Sequence, residues 1–404
     1  MSSETELPVD GNRAAQYLRE LAVPRLCGTE MDRKAADLIE EHFRSVGLTV
    51  TREHFEFGTM GRWVTKFLVA LLPASLFISL ALLDSVPVLS FLCAFGVILL
   101  FSYMTRNSSK VSWLGHNWGT KIKSQNVVAV KEPELEERAH LLLGAHYDSK
   151  SLARSIYPNH YIMELIFLPV FFASAGFLAL IGVLGLIAAF TGFQLPSSVS
   201  AVFLWFSVLL SIFFLTYLAS GYGNDSAGAS DNASGVAVLM ELANAFGARS
   251  LKNLKVTFVA FGAEELGLLG SNHHFFSNRT AWEKNRTYAI SIDMPAAKGK
   301  FGYNEKYGVP PRKTDPYLNA EIQEAARQTG IACEKIGFPP GSGSDHMPFH
   351  ERGVPGTLVG ALSKESIKTI HTSKDDLSAV DYDRLGDACR LFYRLVLNMD
   401  ESLA

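Results

Sequence analysis

The sequence predicts an α/β three-layer sandwich with a mostly parallel central sheet, interrupted by two inserted transmembrane helical hairpins. Three observations predict it. Segments of helical and strand period alternate along much of the chain. The apolar strand-like runs end in histidine or acidic residues, as strands of a parallel sheet do at the edge where chemistry is usual. Four much longer apolar runs come in two pairs.

The chain has 404 residues, enough for one large domain or two to three ordinary ones. Hydrophobic residues make up 48% and mean hydropathy is +0.14, high for a chain that is also 19% charged. The apolar excess must therefore be concentrated. A net charge of −3 and a pI near 6.4 exclude the basic footprint of a nucleic-acid partner. Cys27, Cys93, Cys333 and Cys389 are scattered and form no CxxC pair, so neither disulfides nor a cysteine metal site is expected. The N-terminal stretch is polar and holds no apolar signal-peptide core.

In chain order, Asn12–Glu20 and Met31–Val46 read as amphipathic helices, with Leu38, Ile39, His42 and Phe43 at helical spacing. Leu48–Phe57 alternates like a strand. The first apolar pair follows, Trp63–Leu83 and Val86–Thr105, turning at Asp84. Asn126–Lys131 and His140–Gly144 are strands. The second pair is Ile162–Phe190 and Ser197–Ser220, joined by TGFQLP. Gly235–Phe246 is a helix, Lys255–Phe261 and Thr287–Ile292 are strands, and Pro316–Thr329 and Tyr382–Asn398 are helices. Residues 1–61, 107–160 and 222–404 thus form one α/β domain, with hairpins at 62–106 and 161–221.

Each apolar run has the roughly 20 residues that cross about 30 Å of hydrocarbon as a helix. Buried core helices are the alternative, but four such lengths in two hairpins are hard to enclose in one small domain. The expectation is a multi-pass integral membrane protein with a lipid bilayer as partner. Glu164 reads as an interfacial residue. Two hairpins return the chain to the side it left. Arg62, Lys66, Arg106, Lys110, Lys150 and Arg154 flank them on that side, while the far loops hold no Lys or Arg. The positive-inside rule then puts the α/β domain in the cytoplasm. Sequons at Asn107, Asn278 and Asn285 point the other way.

The polar groups ending the strands are His146 and Asp148 in LLLGAHYDS, Asp231 in SDNASGV, Glu264 and Glu265 in VTFVAFGAEELGLLGS, Asp293 in YAISIDM, and His371 in IKTIHTSKDD. In HYDS, His146 can ligate a metal through one ring nitrogen while Asp148 accepts from the other. Taken alone, an HxD is more often a turn, and the acid of SDNASGV more often a helix cap. Two adjacent glutamates after a buried strand are different, because their desolvation calls for a cation. Adjacent side chains point apart, so one can bind metal while the other faces an attacking water. Two imidazoles and several carboxylates, one of them bridging, suit two zinc ions per chain.

The ordered series HYD, DNASGV, GAEELGLLGS, ID, SDH and IHT resembles the di-zinc aminopeptidase family of leucyl aminopeptidase type, whose fold glutamate carboxypeptidase, glutaminyl cyclase and transferrin-receptor relatives share. RLCGTEMDRKAADLIEEHFRSVGLTV is similar to that family's N-terminal helix and strand. The resemblance covers residues 10–60 and most of 107–155 and 223–400. It implies that His146 and Asp293 ligate one zinc, Glu265 and His371 the other, and Asp231 bridges. It also implies that Glu264 is the general base and Asp148 the carboxylate behind His146. GSGSDHMPF is similar to a segment that approaches the active site, with Asp345 and His346 given no ligand role. The implied activity is a membrane-bound zinc metallopeptidase, an aminopeptidase acting on peptides. The alternatives are an inactive binding module, or a cyclase or carboxypeptidase on the same scaffold. The long stretch between His146 and Asp231 departs from the family pattern and bears on the shape of the substrate cleft.

Overall fold

The computed structural model describes residues 8–282, 286–337 and 342–404. Asn285, Gly341 and the Glu164 side chain lie outside the described residues. Eight strands form the main sheet: β1 (Thr49–Gly58), β2 (Lys121–Lys131), β3 (Ala139–His146), β4 (Leu254–Phe261), β5 (Thr287–Ile292), β6 (Lys300–Asn304), β7 (Glu334–Ile336) and β8 (Gly356–Leu362). Their spatial order is β1-β2-β4-β3-β5-β8-β6-β7. The central four run parallel, β3 between β4 and β5, and β8 beside β5. β1 and β2 extend one edge antiparallel. At the other edge β6 runs against β8, with β7 parallel to it.

β3 reads AHLLLGAH, and all of its residues are buried. A strand covered on both faces needs such a continuous apolar run. Leu141, Leu143 and Ala145 pack on the helical layer of α1 (Gly11–Leu21), α2 (Glu30–Ser45), α7 (Ser234–Gly247), α8 (Pro316–Thr329) and α9 (Tyr382–Glu401). Leu142 points to the other face, among Phe275, Trp282 and Phe349. Gly144 is required where it stands, since a Cβ there would lie 2.4 Å from the Phe261 ring of β4. The result is the three-layer arrangement, with the parallel strands all ending toward one rim.

The four long apolar runs become α3 (Gly61–Leu82), α4 (Pro87–Arg106), α5 (His160–Thr191) and α6 (Ser197–Ala219). Each is long and apolar enough to cross a membrane. They pack on one another through Leu72, Leu76, Ala94, Leu178, Ile181 and Phe214, while Phe95, Phe190, Trp205 and Leu215 are exposed. At the base, the Lys66 ammonium of α3 donates to the carbonyls of Leu218 and Ser220, terminal groups of α6 that a helix leaves unpaired.

Candidate metal centre

Loops leaving the parallel strands supply the site. His146 is the last residue of β3, and Asp293 directly follows β5. Glu264 and Glu265 sit in the turn after β4, Asp231 precedes α7, and His371 comes from the loop after β8. The sequence-predicted ligands therefore converge on one rim of the sheet.

Asp231 lies at the centre. One of its carboxylate oxygens is 3.1 Å from His146 Nε2, and the other is 3.0 Å from His371 Nε2. Glu265 Oε2 is 3.1 Å from His371 Nε2, and Asp293 Oδ1 is 3.7 Å from His146 Nε2. Two triads result, His146–Asp231–Asp293 and Asp231–Glu265–His371, each with donor atoms within 4.8 Å of one another. Glu264 belongs to neither triad. Its Oε2 stands 3.9 Å from His146 Nε2, so it faces the same space from the side.

Asp148 differs in detail from the expected role. Its carboxylate is 3.7 Å from His146 Nδ1, and that nitrogen meets the Asp148 backbone carbonyl at 3.1 Å instead. The carboxylate accepts from the backbone N–H groups of Glu264 (3.1 Å) and Glu265 (3.2 Å). Asp148 thus orients both glutamates as well as standing behind the histidine. In SDNASGV the capping group is Asn232, and Asp231 faces the site. Asn232 Oδ1 accepts from Gly235 N–H, as a helix cap does, and from Met294 N–H, while its amide donates to Ile292 carbonyl. The cap ties the Asp231 loop to the end of β5 and leaves Asp231 to the site.

Three positioning residues escape sequence reasoning. Asp375, inside the quoted IHTSKDD, accepts from Ser230 N–H (2.8 Å) and Asp231 N–H (3.1 Å). Arg25, in RLCGTE, is fully buried and donates to the carbonyls of Tyr147, Ala227 and Gly228, joining the His146 and Asp231 loops. Ser344 donates to Asp293 Oδ2 at 2.8 Å, which is how the GSGSDHM segment reaches the site. No local periodicity marks them, because each acts on a group brought close only by folding.

Asp148, Asp231, Glu264, Glu265, Asp293, Asp345 and Asp375 are all buried here. Lys150, whose Nζ is 2.7 Å from Glu265 Oε2, and Arg25 behind the loops are the lasting cations among the described residues that meet them. Such an excess of buried acid is relieved by further positive charge or, without it, by protonation of some of the groups. Burial pushes Asp148, Asp345 and Asp375 up to about 7 each. Burial, with Glu265, Asp345 and Asp293 nearby, raises Glu264 well above the carboxylate range. Burial opposes the Asp231 carboxylate too, but the two imidazole contacts outweigh it and hold Asp231 well below that range. His371 is drawn up to about 9, burial being overcome by Glu265 and Asp231. Protonated Nε2 atoms facing carboxylate oxygens stand where a metal cation would be ligated, and the donor set fits zinc.

Comparison with known proteins follows the same lines. Residues 214–396, which hold five of the seven predicted site residues, match Peptidase family M28. Aminopeptidase YwaD of Bacillus subtilis (strain 168) is 32% identical over 181 residues, covering 40% of this chain and 36% of that protein. The match therefore spans about a third of that relative's length. BSAP, a zinc aminopeptidase from Bacillus subtilis, superposes with a TM-score of 0.57 at 16% identity, covering 98% of this chain and 96% of that one. The glutaminyl cyclase of Fimbriiglobus ruber does so with a TM-score of 0.56 at 17% identity, covering 96% and 95%. At those identities the likeness is one of fold. Residues 214–396 are thus similar to Peptidase family M28, and the chain as a whole has the fold of the zinc aminopeptidase BSAP.

Proposed function

We propose that this protein is a zinc-dependent aminopeptidase, held in a membrane by α3–α6, that removes N-terminal residues from peptides. The observation that carries the reading is the pair of ligand triads sharing Asp231, with Glu264 3.9 Å from His146 and in neither triad. His146, Asp231 and Asp293 would hold one zinc ion, and Asp231, Glu265 and His371 the second. Bound there, zinc supplies Lewis acidity to the scissile carbonyl and acidity to water. Glu264 accepts a proton from the water as its oxygen bonds to the carbonyl carbon. It then returns that proton to the nitrogen as the C–N bond breaks, giving an amine and a carboxylate. Asp148 holds the Glu264 backbone in place through both steps. The basic flanks Arg62, Arg106 and Arg154 support a cytoplasmic position for the α/β domain.

The test is hydrolysis of free and N-blocked aminoacyl substrates by the detergent-purified protein, with and without a chelator. Chelator-sensitive release from free-amine substrates alone is the expected result. Release from N-blocked substrates alone would sink the aminopeptidase assignment. Two zinc ions per chain should be recovered by elemental analysis. The panel includes peptides with N-terminal glutamine, because cyclisation of these with loss of ammonia would replace hydrolysis by the chemistry named for the structural neighbour above. Metal-free protein with no turnover would leave a binding module.

A further inference from the structure

The cavity that holds the metal centre does not end at the sheet. One continuous cavity of about 500 Å³ is lined by Glu264, Asp293 and His371 at one end and by residues of the helical hairpins at the other. Its far wall is made by Val69 of α3, Phe101 and Met104 of α4, and Met163, Phe167 and Phe171 of α5. From Gly61 to Val69 it follows α3 for eight residues, about 12 Å at 1.5 Å per residue. The last of that length, from Lys66 to Val69, and the turns of α4 and α5 beside it carry the cavity past the charged base of the hairpins to apolar helix. The volume is that of a site enclosing a small molecule.

Among α3 and α4, the Lys66, Thr65 and Thr105 side chains of this wall are engaged within the chain, while Arg62 and Tyr217 stand nearer the mouth. Lys66 Nζ donates to Leu218 and Ser220 carbonyls, Thr65 Oγ1 to Gly61 carbonyl, and Thr105 Oγ1 to Ser102 and Val309 carbonyls. An extended peptide in this arm would bury N–H and C=O groups among phenylalanine and methionine side chains. Each unpaired group costs several kcal/mol in such surroundings. A hydrocarbon chain buries no such group. Unbranched, flexible methionines beside aromatic rings suit a chain of variable shape.

We propose that the substrate is an amide of an amino acid or short peptide that carries one aliphatic chain of lipid character. The amide sits at the carboxylate–imidazole cluster and the chain lies between α3, α4 and α5. This rests on the reading of the site as an amide hydrolase and of the hairpins as membrane-spanning. It gives the hairpins a part in substrate recognition beyond anchoring.

The test uses the full-length protein in lipid nanodiscs and two series of substrates. Leucine N-alkylamides from methyl to decyl place the chain on the leaving amine, and N-acyl-leucines from acetyl to decanoyl place it on the amino side. A methylene moved from water into an apolar site is worth up to about fourfold in affinity, and part of that is lost when the chain starts in lipid. We expect kcat/KM to rise at least tenfold along the free-amine alkylamide series; a rise along the N-acyl series instead would keep the chain in the arm and overturn the aminopeptidase assignment. Val69→Trp and Phe167→Trp, which fill the arm, should collapse the long-to-short ratio. A decylamide with a terminal diazirine should crosslink to the peptides containing Met104 and Phe167. Chelator-sensitive turnover with a flat profile in both series overturns the proposal and leaves the peptidase reading standing. An equal gain from an apolar tripeptide extension overturns it in favour of a peptide occupant. No metal-dependent turnover at all sinks the peptidase reading, and crosslinking then decides the arm alone: adducts confined to outward-facing residues such as Phe95 and Trp205 overturn it.

Discussion

Replacing Glu264 with glutamine separates chemistry from metal binding. The amide has nearly the size and shape of the carboxylate, so the turn after β4 is undisturbed. Its backbone N–H still donates to Asp148. Glu264 lies outside both triads, so zinc should stay bound at the wild-type ratio. What is lost is the proton acceptor. A positioned general base contributes about 10²- to 10⁴-fold, or roughly 3 to 5 kcal/mol of barrier. We therefore expect kcat and kcat/KM to fall together by that factor with KM little changed, since the interaction is made in the transition state. Folding should not suffer. Burial already disfavours the ionised Glu264 in the metal-free protein. Its stabilising contribution, that of a carboxyl with raised pKa, is present at low pH and lost as pH rises. Removing the charge should leave the melting temperature of the chelated protein at pH 8 equal or higher. Elemental analysis, steady-state kinetics on an aminoacyl substrate and thermal unfolding measure the three quantities. Glu265→Gln is the contrast, because Glu265 touches His371 and Lys150 and should lose zinc as well as activity. Turnover of Glu264→Gln within tenfold of wild type, or zinc lost from it as from Glu265→Gln, would refute the assignment of roles.

Two further outcomes are expected. A Cβ at position 360 would stand 1.9 Å from the Asp293 carbonyl oxygen, while Asp293 N–H donates to Val359 beside it. Gly360→Ala should therefore push β8 from Asp293, destabilising the fold by about 1–3 kcal/mol and lowering zinc content. Unchanged melting and zinc would show that β8 does not position this ligand. In the chelated protein, Asp148 and Asp375 are raised by burial from 3.8 to about 7, and His371, against burial, is raised by Glu265 and Asp231 from 6.5 to about 9. Their contributions are present at acid pH and disappear as pH rises through those values. The lowered groups Asp231 and Glu265 keep their full contribution above their usual range and lose it only as pH falls below that range, so they add no opposing slope above pH 5. Chelated protein should lose stability, on the order of a few kcal/mol, between pH 5 and 9. Saturating zinc should abolish or reverse the slope, because ligation favours the deprotonated groups. A flat profile without metal would contradict the buried-acid account.

The segments that carry the candidate ligands are legible in the sequence because each joins a buried apolar strand to a polar group that has no reason to be there unless paired. LLLGAH, VTFVAF and YAISI read as strands and form β3, β4 and β5. The four apolar runs were equally plain, since length and hydropathy alone mark them. β6, β7 and β8 were not read. KFGYN and EKI are short, and GTLVGAL holds two glycines, so none of the three shows a period long enough to separate strand from loop.

What the sequence determined by itself is therefore the set of local commitments: strand and helix periods, four helices of membrane length, and the residue types able to hold a metal. What tertiary structure alone decided is how distant groups meet. Asp375 reaches Asp231 across 144 positions, Arg25 reaches Gly228 across 203, and Asp148 turns its carboxylate from His146 to the Glu264–Glu265 backbone. These are hydrogen bonds to backbone groups, which every residue possesses, so no residue type marks the partner in advance. The same holds for the cavity. Val69, Phe101 and Phe167 are ordinary residues of apolar helices in sequence, and only packing the hairpins against the rim of the sheet joins them to the metal centre.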